Sequence, residues 1–347
     1  MNVYSSIKKV KSDWDKIKLP LFLKLEFLEI FYTNHPRITH LFVKDEQVRM
    51  YAHIFKINFS KTKKYRGAYS ISGWLLRIIH FDVLYLTNSF ITNVPAFVNH
   101  GKIKLNGLLT KITTKFSLLV IPDFLYDKLI LEDKQFIKIE VEEEMVLNIR
   151  ENWKTIEQYI SDLKRKYRNK VKNILTQTNS IIIRNLDTNE ISHYTNELQV
   201  LFDQVAESSN FKGPKFNTAS YSSLVEKGFM RVDGYFLDHT LVGFSSVMED
   251  DSSLYSYYVG FDKKLNANFP IYGRILLENI ASSIKLKKGK LILGRTANEF
   301  KSNFGAYPIQ SFVYLQIQNR LLRLILTPFL KKVFIKPWIQ RRPFLDH

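Results

Sequence analysis

Cysteine is absent from the 347 residues, and that one absence removes disulfides, thiolate nucleophiles, iron–sulfur ligation and cysteine-bound zinc together. Acidic residues are the second shortage: 33 Asp and Glu stand against 51 Lys and Arg, a formal net charge of +18. An excess of that size fits a polyanionic partner such as nucleic acid, a phosphorylated carrier or an anionic membrane surface. The competing explanation is codon bias, since the chain is rich in the Lys, Asn, Ile, Phe and Tyr that A/T-rich codons favour. Long apolar runs are missing too. No stretch reaches the roughly 20 residues that a membrane-spanning helix needs, and MNVYSSIKKVKSDWDKIKLPLF has no apolar core of the signal-peptide kind. The expectation is a cytoplasmic protein with no integral membrane segment. Glycine-rich phosphate loops and a Gly-x-Ser-x-Gly element are also lacking, and His35 and His40 flank a strand start without the helical i, i+4 spacing of a zinc site, so no metal is expected.

What is present suffices for sizeable cores: 45% of residues are hydrophobic and 14% aromatic, and the length predicts two domains of similar size. From Asn152 a helical period runs through Trp153, Ile156, Tyr159, Ile160, Leu163, Tyr167, Val171, Ile174 and Leu175, predicting one long amphipathic helix. Asp187 and Glu190 are spaced as a capping box ahead of a second helix carrying Ile191, Tyr194, Leu198, Leu201, Phe202 and Val205. The period then falls to two over 229–237, 240–248 and 253–261, and the short connections predict an antiparallel meander. Pro270 suits the first turn of a helix reaching Ile284, and 290–294 (KLILG) reads as a buried strand. Thr296 and Glu299 read as a capping box for a helix over 297–304, Gly305 as its left-handed stop, and 310–316 as a strand closing the unit. A right-handed crossover after the third strand makes a parallel pair in a mixed sheet with helices on both faces.

The first half follows a similar order: a helix over 21–32, strands over 39–44 and 47–59 around Asp45-Glu46, and further strands over 81–87, 117–121 and 136–147. The expectation is an α/β (α+β) chain of duplicated topology, with an N-terminal domain 1–147, a C-terminal domain 148–316 and a basic aromatic tail 317–347. Between 320 and 345 the tail carries Arg320, Arg323, Lys331, Lys332, Lys336, Arg341 and Arg342 and no acidic residue. Such a segment either folds its apolar stripe over a domain or lies in an anionic membrane surface with Trp338 at the headgroup level. Pro328 and Pro337 divide it into short pieces. Lys212-Gly213-Pro214-Lys215 reads as a turn forming a lid.

Three stretches carry a likeness to known proteins: Trp153-x5-Tyr159-x7-Tyr167-Arg168, Tyr258-Val259-Gly260-Phe261, and Gly294-Arg295-Thr296-Ala297-Asn298-Glu299-Phe300-Lys301-Ser302. In order and spacing they resemble the acyl-CoA N-acyltransferase (GNAT) superfamily and, within it, the Fem-like branch with two GNAT-like domains per chain. The resemblance spans residues 148–315 and is topological before that. It implies transfer of an acyl or aminoacyl group from acyl-CoA or aminoacyl-tRNA to an amine, with an acceptor in cell-envelope (peptidoglycan) precursors and a place at the inner membrane surface. Acyl-CoA users hold the pyrophosphate on a glycine-rich loop opening the central helix. Here that place reads Asn266-Ala267-Asn268-Phe269-Pro270-Ile271-Tyr272-Gly273-Arg274, with a proline that removes a donor. Fem-like members without the loop resemble users of larger donors such as tRNA, which the charge suits.

The candidate residues each carry two readings. The run Lys164–Lys172 is either a solvated helix face or a phosphate-binding surface, and the Fem-like likeness singles out Arg168. Arg295, at a strand end before a helix, either binds a phosphate or carboxylate or pairs with Glu299. Glu299 is a base or a cap, and Lys301 faces the same cleft. The resemblance places the acyl carbonyl by the backbone of Tyr257–Phe261, with Tyr257, Tyr258 and Asp262 as proton relays or as packing and turn residues. Tyr258, Arg274 and Arg295 are expected around one cleft. The rival function is a non-catalytic protein binding a polyanion or a membrane surface through its basic face.

Overall fold

The computed structural model describes residues 1–58, 80–99, 101–132, 135–207, 213–330 and 335–345. The principal strands in chain order are β1 (Asn2–Tyr4), β2 (Thr39–Lys44), β3 (Arg49–Asn58), β4 (His80–Tyr85), β5 (Leu118–Pro122), β6 (Ile137–Asn148), β7 (Ile182–Asn185), β8 (Arg231–Leu237), β9 (Thr240–Glu249), β10 (Ser253–Phe261), β11 (Lys290–Gly294) and β12 (Tyr307–Ile317). The helices used below are α1 (Leu25–Asn34), α2 (Ile156–Ser161), α3 (Arg165–Gln177), α4 (Thr188–His193), α5 (Thr195–Ala206), α6 (Ser220–Glu226), α7 (Ile271–Lys285), α8 (Asn298–Ser302) and α9 (Arg320–Leu330). Contacts group the chain into two units: Met1–Val141 with Asn210–Asn217 and Gln310–Lys336, and Glu142–Ser209 with Thr218–Ile309 and Pro337–His347.

Each unit is a mixed, mostly antiparallel sheet flanked by helices. In the first, β1, β2, β3 and β4 are successively antiparallel, β4 and β5 are parallel, and β5 pairs antiparallel with Val313–Ile317 of β12. In the second, β7, β8, β9 and β10 are successively antiparallel, β10 and β11 are parallel, and β11 pairs antiparallel with Met145–Asn148 of β6. The order of ladder signs is the same in both. The strand expected at 310–316 is present as β12, and its pairing over Val313–Ile317 is with β5 of the first unit, a non-local choice that local periodicity does not carry.

The meander and the parallel step after it match the expectation, because α7 carries the chain back across the sheet from β10 to β11. The Asp187–Glu190 box is also present, each side chain accepting the other's backbone N–H. Two expectations fail. The long helix from Asn152 is two helices, interrupted where Lys164 N–H donates to Pro343 O and Leu345 N–H donates to Asp162 O. Backbone groups committed to a segment so far along the chain cannot continue a helix. The Thr296 capping box does not form either. Thr296 and Ala297 both sit at positive φ, 68° and 51°, and the shorter α8 begins after them with no side-chain cap.

Two glycines answer to packing. Gly305 has φ 92°, and a Cβ there would meet the Phe344 ring at 2.2 Å. A Cβ on Gly260 would fall 2.7 Å from the backbone of Leu201 and Phe202, where α5 crosses β10. In the first unit, His35, His40 and His53 are buried together against Tyr51 and Phe90. His40 Nδ1 meets Tyr51 Oη at 2.6 Å, and His53 Nδ1 accepts the Ser89 N–H at 3.1 Å. Burial pulls His35 and His40 down to about 4 and His53 well below its usual range, so all three are neutral at pH 7.

Gly260→Ala should lower stability by about 1–3 kcal/mol, because the obstacle is backbone that cannot swing aside; an unchanged Tm would show that α5 has room to move. For the histidines, the unfolded state binds protons below about pH 6.5 while the folded state does not until about 4. Stability should therefore fall as pH drops through that window, on the order of 1–2 kcal/mol per histidine by pH 5. Urea melts at pH 7 and pH 5 with equal midpoints would contradict it.

Candidate functional site

The second unit opens its sheet beside β10. Its parallel pairing with β11 covers only Ser253–Tyr255 against Lys290–Ile292, and the two strands part beyond that. On the other side, Ser245 opposes Val259 and Val247 opposes Ser256, so Tyr257 and Tyr258 together face Ser246, a β-bulge. The Ser246 hydroxyl fills the break in the ladder, donating to Tyr258 O at 2.7 Å and accepting Tyr258 N–H at 3.0 Å. The bulge puts two consecutive tyrosines on one face, with rings 4.2 Å apart and Tyr258 edge-on to Phe202 of α5. Burial pushes the Tyr258 hydroxyl up to about 12 and raises that of Tyr257 well above its usual range. Both therefore keep their protons at neutral pH and can donate.

Helix α7 covers the other face. Ser256 accepts from Asn279 of that helix, and Phe261 stacks on Tyr272 at 5.4 Å. Arg274 lies on that side, bonded to Glu278 at 2.7 Å and to the Thr178 hydroxyl at 3.2 Å. Tyr258 and Arg274 thus project from opposite faces and are not brought together.

The turn after β11 gathers other groups. Lys301, 3% exposed, donates to Gly294 O at 3.0 Å and Arg295 O at 2.8 Å. Burial draws its ammonium down to about 7, against the opposing pull of Glu142 and Glu144. Arg295 is half-buried in the same turn. Glu299 instead reaches outward to an ion pair with Arg341, which holds its carboxyl below the usual range. It is neither the cap nor a group tuned to take a proton. Asp262 accepts the N–H groups of Lys264 and Leu265 at 2.8 and 2.9 Å, a turn-capping role. Arg168 also has an occupation: its guanidinium donates to Ser161 O and Leu163 O, both at 2.8 Å, and holds the break between α2 and α3.

Sequence reasoning missed the cleft on α3. Lys166, Asn169, Lys170, Asn173, Gln177 and Phe300 line a space of about 410 Å³ that ends at Pro270, the start of α7. The signal was in the spacing, since 166, 170, 173 and 177 follow the i, i+4, i+7 rule of one helix face. Lys170 lies 4.9 Å over the Phe300 ring, which stacks on Tyr272. Burial, Arg341 and Lys166 lower the Lys170 ammonium. At the start of α7, Ile271 N–H donates to Phe269 O at 2.5 Å and Tyr272 N–H to Asn266 Oδ1 at 2.9 Å. Those two amides are already committed, so side chains supply the cleft's cationic character. The proposed lid at 212–215 begins at Lys212, outside the described residues. Among the described residues no cluster of histidines and carboxylates has the geometry to hold a metal.

No known family profile matches the sequence, and no curated protein does. Solved structures do. FemX is 12% identical, with 94% of this chain and 99% of that one covered at a TM-score of 0.50. L-PGS from Bacillus licheniformis is 11% identical, over 92% of this chain and 98% of that one at 0.52. The likeness is one of fold, and at that level it agrees with the expected resemblance to the Fem-like branch.

The two kinds of cation should separate in a mutant pair. Arg168→Ala removes two charge-assisted bonds to helix-end carbonyls and should cost about 1–3 kcal/mol, read as a lower Tm. Lys166→Ala/Lys170→Ala should leave stability within about 1 kcal/mol of wild type and weaken retention on a polyanion column. The reverse pattern would move the anion site to Arg168.

Proposed function

We propose that the chain is an amine acyltransferase or aminoacyltransferase whose second unit takes the activated donor into the gap between β10 and β11. The observation that carries this reading is the parting of β10 from β11 past Tyr255, with buried Lys301, its ammonium near 7, bonded to the last residue of β11 and protonated Tyr257 and Tyr258 on β10. Attack on an acyl carbonyl needs the amine to lose a proton and the leaving group to gain one. Neutral Lys301 has two N–H groups, used on Gly294 O and Arg295 O, and one lone pair left to take the amine proton. Tyr258, protonated at neutral pH, donates to the departing oxygen or sulfur. Arg295 and the gap's backbone N–H groups stabilise the developing oxyanion.

Of the two donors, aminoacyl-tRNA fits better than acyl-CoA. The first amides of α7 are engaged where a pyrophosphate would need them, while Lys166 and Lys170 offer side-chain charge beside an aromatic ring, suited to a nucleic acid backbone. The acceptor is an amine, and the sequence resemblance to the Fem-like branch supports one in a cell-envelope precursor.

Lys301→Met should lower transfer by roughly 10²–10⁴. It should keep or raise Tm, because a buried titrating amine is removed. Wild-type stability should climb between pH 7 and 10, where the unfolded lysine holds a proton that the folded one has released. That slope should vanish in the variant. Full activity in Lys301→Met would remove the lysine from the reaction, and failure of the purified chain to bind either tRNA or acyl-CoA would overturn the transfer reading.

A further inference from the structure

Helix α9 is apolar on two sides. Asn319 caps it, accepting Leu322 N–H at 3.0 Å. Leu326 and Leu330 are buried, with half-buried Leu322, against Phe81, Leu315 and Ile317 of the first unit. That face explains why the helix is ordered. The opposite face has no such partner among the described residues: Leu321, Leu324 and Ile325 are 71%, 68% and 53% exposed, and Pro328 beside them is exposed too. At 100° per residue these four fall within an arc of about 100°, with Arg320 and Arg323 together on one flank.

The charge around this face selects its occupant. From Gln318 to Leu345 the chain has no acidic residue. A second copy docking here face to face would bring like charges together. A nucleic acid would pair with the arginines and leave three large aliphatic side chains in water. An anionic bilayer surface answers both features, since aliphatic groups enter the headgroup boundary while guanidinium groups meet lipid phosphates.

We propose that the outer face of α9 docks the first unit on an anionic lipid surface, with Leu321, Leu324 and Ile325 inserted and Arg320 and Arg323 on the phosphates. Of the two readings of the tail, Trp338 follows the one that packs on the protein and is not the anchor: its Nε1–H donates to Glu143 at 2.7 Å. Docking is independent of the transfer chemistry.

Sedimentation of the full chain with vesicles tests it. Wild type should pellet with vesicles containing phosphatidylglycerol, less so as salt rises, and not with phosphatidylcholine alone. Leu321→Ser/Leu324→Ser/Ile325→Ser should lower the partition coefficient by roughly tenfold or more with an unchanged far-UV circular dichroism spectrum. Arg320→Gln/Arg323→Gln should lower it by roughly fivefold per arginine removed. If the triple variant loses its native spectrum, Leu324→Ser alone serves, with a reduction of several-fold expected. The proposal is overturned if the folded aliphatic variant pellets like wild type, if neutral vesicles bind equally, or if wild type stays in solution at low salt. It is also overturned if light scattering shows a wild-type dimer that the aliphatic variant converts to monomer.

Discussion

A strand between two neighbours must satisfy its N–H and C=O groups on both sides, and β10 does this fully for only its first three residues. Past Tyr255 the bonding on the β11 side ends, and on the β9 side the register slips around Ser246. The slip turns Tyr257 and Tyr258 to one face, and the parting from β11 opens the sheet where Lys301 and Arg295 close the following turn. The features with chemical potential in this unit trace to that unequal pairing. A β10 bonded along its whole length would have neither the gap nor the paired tyrosines beside it.

What the sequence disclosed was mostly local. The meander was legible because 229–261 alternates and its connections are short, and the Asp187–Glu190 box because both partners lie within one turn. KLILG announced β11 through its burial, and the parallel step followed from the length of the connection. The failures share one physical cause. The helix at 152–175 breaks because Asp162 and Lys164 are committed to residues 343 and 345, and Glu299 abandons its expected cap for Arg341. Arg168 stood out within a motif, yet its guanidinium is spent on the broken helix end. Counting cations along the run hid the spacing that puts Lys166 and Lys170 on one face, a property of the helix rather than of composition.

The repeated order of ladder signs in the two units is a sharper statement of duplication than any residue match. In both, three antiparallel steps lead to one parallel step and then an antiparallel closing strand. In the first unit that closing strand comes from β12, late in the chain, and in the second from β6, which precedes the rest of its sheet. A reading that cuts the chain at one point must miss this, because each sheet is completed by a strand from beyond the cut.

The segment from Pro337 to Leu345 sets the order of assembly during synthesis. Trp338 bonds to Glu143, 195 residues earlier, and Phe344 packs on Trp153 and against the space over Gly305. On the ribosome the second unit can form its meander early, but the pocket around Trp153 and Tyr159 stays open until residues near 344 emerge. Closure of such distant contacts is slow, so a nascent chain exposes this aromatic cluster while the residues between 159 and 344 are made. Until that contact closes, the cluster is open to chaperones.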